Sequence, residues 1–394
     1  MTLSVVLTLA LAAGGAVSSG MHMYIYDMFH ETAIFEEEYV DPDSVDISFP
    51  EEKRNLIYIF LESMETTYFS ETLGDDEEEG LIPELYDLAE ENVNFSEDED
   101  VGGFLPVSGT TWTIGAMVGQ TAGVPLKTPD DVEDWQNGYG QEGEFLPGIT
   151  NLGDILDENG YYQSLMVGSV ASFGGRKVYY ETHGADAIYE LRTARADGIV
   201  PKDYFVWWGI EDKYLFEYAK DELTEIAKQD QPFAFTMLTV DTHHIGGYVC
   251  SYCGQEHEEQ YENVISCSSR QVEEFVEWIQ EQPFYEDTTI IIVGDHESMD
   301  NGYFQRMVEE DYQRLLYNCF INTPVEAKKA TNRHFAAVDL FPTTLAAIGC
   351  TIEGERLGLG TNLFSGVKTL TELHGFERFN EELAKASTYY ENHF

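Results

Sequence analysis

The side chains in this sequence best suited to chemistry are oxygen and nitrogen ligands that each follow a short apolar run. Glu62 comes directly after NLIYIFL, Asp295 and His296 after TTIIIVG, and Asp241, Thr242, His243 and His244 after FAFTMLTV. Carboxylate and imidazole without thiolate suit a divalent cation such as Mn2+, Mg2+ or Zn2+. A fourth element is the turn Gly109-Thr110-Thr111-Trp112-Thr113, which runs into a small-residue stretch ending near Gly123. A hydroxyl where a helix begins lies at the positive end of the dipole, beside amides with no intrahelical partner. That setting suits a nucleophile attacking an anionic phosphodiester. On the residues alone Thr110, Thr111 and Thr113 are all open for this role, and an ordinary threonine cap is the plainer alternative.

These groups can meet only if the runs before them are strands of one sheet. Asn55–Leu61, Tyr162–Gly168, Phe233–Val240 and Thr288–Gly294 are apolar, rich in β-branched and aromatic residues, and short enough to be buried strands. Helical patterns lie over Leu81–Asn92, Ile149–Asn159, Asp212–Gln229 and Ser269–Glu281. The alternation predicts an α/β fold with a mainly parallel central sheet and helices on both faces. In such sheets functional groups gather past the carboxyl ends of the strands, where Glu62, Asp241–His244 and Asp295–His296 fall. From about Thr351 onward, loops and a short terminal helix are expected.

Residues 1–26 contain no Asp, Glu, Lys or Arg. They read as a transmembrane anchor, or as the remnant of a larger membrane domain, with a secretory signal as the rival. Residues 27–54 read as an acidic linker, and 55–394 as an extracytoplasmic catalytic domain. Seventy-three acidic residues against 21 basic ones give a formal charge of −52, which excludes DNA and RNA as partners. It also argues against docking on an anionic bilayer through a basic patch, and suits a solvated acidic shell in high salt. Among the five cysteines, Cys250, Cys253 and Cys267 cluster, with His257 nearby. The paired spacing of a zinc knuckle is missing, so a local disulfide joining Cys267 to Cys250 or Cys253 is expected in an oxidising compartment.

Taken together and in order, NLIYIFLES, GTTWTIGAMVGQTAGVPL, LTVDTHH and VGDH resemble the lipoteichoic acid synthase and phosphoglycerol transferase family, within the alkaline-phosphatase and sulfatase superfamily. The WWGIED segment around Trp208 and the GTTWT turn are most similar to the phosphoglycerol transferase branch, and DLFPTTLAAIG at Asp339–Gly349 is similar to the C-terminal superfamily segment. The resemblance spans roughly residues 45–370. It implies one divalent metal, usually manganese, on Glu62, Asp295 and His296, with the nucleophilic threonine also touching it. In sulfatases the nucleophile opens a helix that a glycine closes ten positions later, which favours Thr113 over Thr111, with Thr110 third. The resemblance further implies that His243 binds substrate, with Asp241 and His244 as neighbours, and that Arg176 in FGGR grips the glycerol-phosphate head group. The synthase branch has a tryptophan near that arginine, where this chain has Phe173 and glycines. The implied donor is phosphatidylglycerol at a cell membrane, and the implied acceptor a glycan or polyglycerophosphate chain. A phosphodiesterase, a phosphoethanolamine transferase and a non-catalytic surface protein are the rivals. A formylglycine sulfatase is disfavoured because no C/S-x-P-x-R segment occurs.

Overall fold

A computed structural model describes residues 31–69, 80–127, 143–308 and 312–394. The expected anchor at 1–26 lies outside the described residues, and no helix among them is long and apolar enough to cross a membrane. The architecture is a seven-stranded sheet between two layers of helices. In chain order its strands are β1 (Asn55–Leu61), β2 (Gly103–Phe104), β3 (Tyr162–Val167), β4 (Ala187–Tyr189), β5 (Phe233–Leu238), β6 (Thr288–Gly294) and β7 (Leu316–Ile321). Their spatial order is β2-β7-β6-β1-β5-β3-β4. The five from β6 to β4 run parallel, and β7 pairs antiparallel with β6 and with β2.

The central strand shows why the sheet is parallel and buried. Along β1, Leu56, Tyr58 and Phe60 enter one core, while Ile57, Ile59 and Leu61 enter the other. Apolar side chains on both faces need a helical layer on each, and each fully buried one contributes roughly 2 kcal/mol of transfer free energy. The first face is covered by α2 (Thr113–Ala122), α3 (Leu152–Glu158), α4 (Arg176–Thr182) and α7 (Leu340–Ala347) through residues such as Met117, Leu152, Tyr179 and Leu345. The second is covered by α1 (Pro83–Glu91), α5 (Asp212–Ile226) and α6 (Gln260–Gln280) through Leu85, Leu215, Phe275 and their neighbours.

Several segments differ from the sequence reading; where loops and one short helix are predicted after Thr351, helices stand at Leu370–His374, Phe376–Ala384 and Thr388–His393. Residues 31–54 are not a free linker. Phe35 is buried among Tyr389, Tyr390 and Phe394, and Ile47–Ser48 pairs antiparallel with Thr351–Ile352. The acidic Glu36 and Glu37 stay in solvent while Ile34 and Phe35 face in, which hides the packed side of the segment from a composition count. Helix α6 starts at Gln260, nine residues before the predicted Ser269. Its first turns carry buried polar groups, including Glu262, which accepts from the Tyr303 hydroxyl at 3.2 Å. Strand β7 was not anticipated because Asn318 interrupts its apolar run. That amide is buried and exchanges two 2.9 Å hydrogen bonds with the Phe95 backbone.

Candidate active site

Three strand ends and one helix start meet at the carboxyl edge of the sheet. Asp295 follows β6 directly, and its amide bonds back to the Leu61 carbonyl of β1 at 3.1 Å, locking the two strand ends in register. Glu62 is fixed through its backbone: its amide donates to Thr239 Oγ1 at 2.9 Å, and its carbonyl accepts from Thr242 Oγ1 at 2.5 Å. Glu62, Asp295 and His296 are all buried, and one ligand atom from each falls within 4.8 Å of the others. His296 Nε2 lies 3.6 Å from Glu62 Oε1 and 3.4 Å from Asp295 Oδ2. The other ring nitrogen, Nδ1, is 2.8 Å from the Glu297 carbonyl and donates its hydrogen there, which leaves Nε2 as the nitrogen that a cation between the carboxylates would take as a ligand.

The electrostatics of this triad call for a cation. Asp295 Oδ1 accepts from the amides of Ser63 and His296 at 2.8 and 2.7 Å, whereas the buried Oδ2 makes no hydrogen bond among the described residues and has only the His296 ring nearby. Burial, and then the charge of Glu62, push the Asp295 carboxyl up to about 7. Burial would lower the His296 imidazole, but Asp295 and Glu62 outweigh it and raise it. Two carboxylates buried this close together repel each other, and a divalent ion on Glu62, Asp295 and His296 would offset that repulsion while taking the imidazole nitrogen as a ligand. The residues therefore fit such an ion.

Of the three threonines in the turn, Thr113 is the one beside this cluster. It opens α2, and its Oγ1 is 3.4 Å from His296 Nε2. Thr110 is buried and folded back on the Val107 backbone, to which its hydroxyl donates at 2.8 Å, while Thr111 is exposed. Gly123, at φ 67°, ends α2 in the left-handed region.

Thr113 also lines a cavity of about 260 Å³ with Trp112, Phe173, Arg176, Trp208 and His243. Arg176 is buried. Its Nε donates to the Phe173 carbonyl at 3.0 Å, and its Nη2 to Ser169 Oγ and the Val170 carbonyl, both at 2.9 Å. Burial lowers it to about 10 against the opposing pull of Glu62 and Asp295, so the guanidinium stays charged. The ring of His243 is 4.7 Å from that of Trp208 and 4.4 Å from that of His244, and burial holds its imidazole below the usual range, hence neutral. His244 lines the same cavity, but Asp241 does not. Asp241 is buried behind it, its amide donating to Asp212 at 3.0 Å, and burial together with the Asp212 charge pushes it up to about 10. The aromatic wall near Arg176 comes from two elements, since the Phe173 and Trp208 rings are 6.0 Å apart.

The expected disulfide is not formed. Cys250, Cys253 and Cys267 are free thiols, with Cys250 Sγ 3.8 Å from each of the other two sulfurs. Cys250 Sγ is equally far from its neighbour in the turn and from Cys267 of α6, so no pair is singled out for a bond of about 2.05 Å.

Sequence reasoning missed the residues behind the triad. Arg314 forks onto buried Glu65, with Nε to Oε2 at 2.7 Å and Nη2 on Oε1, and donates to the Ser298 carbonyl at 2.8 Å. Glu65 in turn accepts from the Ser298 amide at 2.7 Å, which braces the segment after His296. The only signal was a second glutamate in LESMET, and its arginine partner lies far along the chain.

Residues 54–350 match the model of the family described as Sulfatase. Phosphoglycerol transferase I of Xanthomonas campestris pv. campestris is 32% identical over 323 residues, covering 80% of this chain and 43% of that protein. The chain spans 40–49% of the length of the curated relatives it matches. Among solved structures, the lipoteichoic acid synthase LtaP from Listeria monocytogenes is 17% identical with a TM-score of 0.61, covering 84% of this chain and 80% of that one. A protein of the alkaline phosphatase superfamily from Vibrio parahaemolyticus is 20% identical with a TM-score of 0.57, covering 84% and 74%. Both share the fold.

Proposed function

The chain belongs to the sulfatase family, and we propose that it is a metal-dependent phosphoglycerol transferase that works through a covalent threonine. The observation that carries this reading is the hydroxyl of Thr113, 3.4 Å from His296 Nε2 at the start of α2 and facing a cavity that also contains a buried arginine. A divalent ion on Glu62, Asp295 and His296 would supply positive charge to the phosphoryl oxygens and to the attacking oxygen. Mn2+ is the ion we favour, with Mg2+ and Zn2+ as alternatives.

The residues divide the work. Thr113 Oγ1 attacks the phosphorus of phosphatidylglycerol, and the P–O bond to the lipid breaks. Diacylglycerol leaves with a proton, and glycerophosphate remains on Thr113. A hydroxyl of a glycan or a polyglycerophosphate chain then attacks the same phosphorus, and Thr113 is released. Arg176 holds the phosphoryl oxygens through the face of its guanidinium that the loop leaves free. Neutral His243, steadied by Trp208, hydrogen-bonds the glycerol or carries the proton of the entering hydroxyl. Exposed Phe173, Trp208 and Met299 line the cavity, exposed Ile245 follows the lining His244 in the chain, and this apolar rim suits a donor with acyl chains at a membrane surface. The name of the Xanthomonas relative agrees with the transfer reaction.

The test uses phosphatidylglycerol vesicles, Mn2+ and a glucan or polyglycerophosphate acceptor, with diacylglycerol and glycerophosphorylated product both measured. Thr113→Ala is expected to lower diacylglycerol release by about 10³-fold or more. Thr113→Ser keeps part of the activity, and Thr111→Ala keeps most of it. Diacylglycerol release by Thr113→Ala at the original rate, with metal still bound, removes Thr113 as nucleophile. Release of free glycerophosphate with acceptor unmodified would make the protein a phosphodiesterase.

A further inference from the structure

On the far side of the histidine-bearing loop, three cysteines converge that take no part in the chemistry above. We infer that Cys250, Cys253 and Cys267 form a second metal site, a tri-thiolate that takes zinc and pins this loop to α6. Cys250 Sγ is 3.8 Å from both Cys253 Sγ and Cys267 Sγ, and all three sulfurs lie within 4.8 Å of one another. A tetrahedral zinc with Zn–S bonds of about 2.3 Å has sulfurs about 3.8 Å apart along its edges. A disulfide needs about 2.05 Å and leaves the third sulfur unused.

The surroundings are built for thiolate. The segment Cys250-Ser251-Tyr252-Cys253-Gly254 turns back on itself, so that the Tyr252 amide donates to Cys250 Sγ at 3.3 Å and the Cys253 amide to the Cys250 carbonyl at 3.3 Å. Cys267 comes from the second turn of α6, and buried Gln271, one turn later, places Nε2 3.4 Å from its sulfur. Such N–H donors favour the ionised sulfur and orient it toward a metal. The other end of the same amide, Gln271 Oε1, is buried without a partner among the described residues. An unpaired acceptor on the amide that contacts Cys267 is what a solvent molecule in the fourth position would satisfy. His257 is engaged elsewhere, with Nε2 3.1 Å from Ser266 Oγ.

The loop tied down in this way is the one that carries the cavity histidines. It leaves β5 through Asp241, presents His243 and His244, closes with the Tyr248 amide on the Asp241 carbonyl at 2.7 Å, and reaches Cys250 two residues later. Zinc would therefore act as a clasp for the His243 loop and not as a participant in transfer. The inference does not depend on the reading of the Glu62 site.

The experiment uses the whole chain carrying Asp295→Ala, which disables the first site, purified with zinc and dialysed. We expect about one zinc per chain by elemental analysis, with a sulfur shell near 2.3 Å in zinc X-ray absorption. Adding Cys253→Ser should abolish that zinc. If that variant does not fold, the absorption spectrum and a thiol count on the Asp295→Ala protein decide. Alkylation after denaturation without reductant should label all five cysteines of the sequence. Removing zinc with a chelator should speed amide exchange over residues 241–253. Only three alkylated cysteines would mean a disulfide, and five free thiols with no bound zinc an empty cluster. Either overturns the inference, and unchanged exchange on zinc removal overturns the clasp.

Discussion

Arg176 commits three hydrogen bonds to its own loop and still faces the cavity, which only a five-donor guanidinium can do. Nη1 has no partner among the described residues. The flat side that bonds Phe173, Ser169 and Val170 fixes its orientation, and the free side is available to the phosphoryl oxygen of the proposed donor. Lysine in that place has one compact ammonium and must choose between loop and ligand. Arg176→Lys is therefore expected to cut kcat/KM for phosphatidylglycerol by about 10- to 100-fold, the worth of a charged hydrogen bond. Diacylglycerol release against lipid concentration measures it, alongside a melting curve to separate binding from loss of the loop. Kinetics equal to those of the unmodified protein would take Arg176 out of head-group binding. Its interaction with Glu62 and Asp295 gives a second reason for its presence, since its charge acts on two buried carboxylates.

Helix α2 sets the position of the Thr113 hydroxyl, and a glycine sets the position of α2. A methyl group built on Gly115 would lie 2.6 Å from the Gly109 carbonyl oxygen and 2.9 Å from the Trp112 ring. Helix propensity favours alanine there by about 1 kcal/mol, so any loss on Gly115→Ala must come from that contact. The turn would have to move off the helix, carrying Thr113 with it. A shift of about 1 Å at a reacting atom costs on the order of 10²-fold, so transfer should fall by that factor while the melting temperature moves little. An unchanged rate would mean that the turn is not held by this contact. The same element shows what was legible beforehand. The glycine- and threonine-rich turn leading into small residues marked a helix start, and the short runs before Glu62, His243 and Asp295 marked parallel strands, because burial on both faces leaves an unbroken apolar record. Strand β7 and the first turns of α6 left no such record, since Asn318 and Glu262 are polar residues satisfied by distant partners. The Arg314–Glu65 fork was hidden for the same reason, as pairing over 249 positions has no local period. The resemblance already ranks Thr113 first among the three threonines, but the physical reason for setting Thr110 aside has no sequence signal: its hydroxyl is spent on the Val107 carbonyl.

Across the whole molecule, a formal charge of −52 must coexist with a proposed donor that is itself an anion. The cavity resolves part of this locally, through Arg176 and the ion that Glu62, Asp295 and His296 would hold, but the approach to it does not. A lipid head group nearing the apolar rim of Phe173, Trp208 and Met299 meets the field of the exposed carboxylates before it meets the arginine. Mobile ions shorten that field: the Debye length falls from about 10 Å at 0.1 M to about 3 Å at 1 M. At 1 M the repulsion is confined to direct contact, while the apolar rim and the buried site are hardly screened. Activity on phosphatidylglycerol vesicles should therefore rise several-fold between these concentrations, mainly through a lower KM, since encounter and not chemistry is relieved. The melting temperature should rise with it as self-repulsion of the acidic shell is damped. NaCl and KCl at equal ionic strength should act alike if screening is the cause. Equal rates in dilute buffer and concentrated salt would mean that the acidic surface lies away from the path of the lipid, and the apolar rim would then have to face a region of low charge.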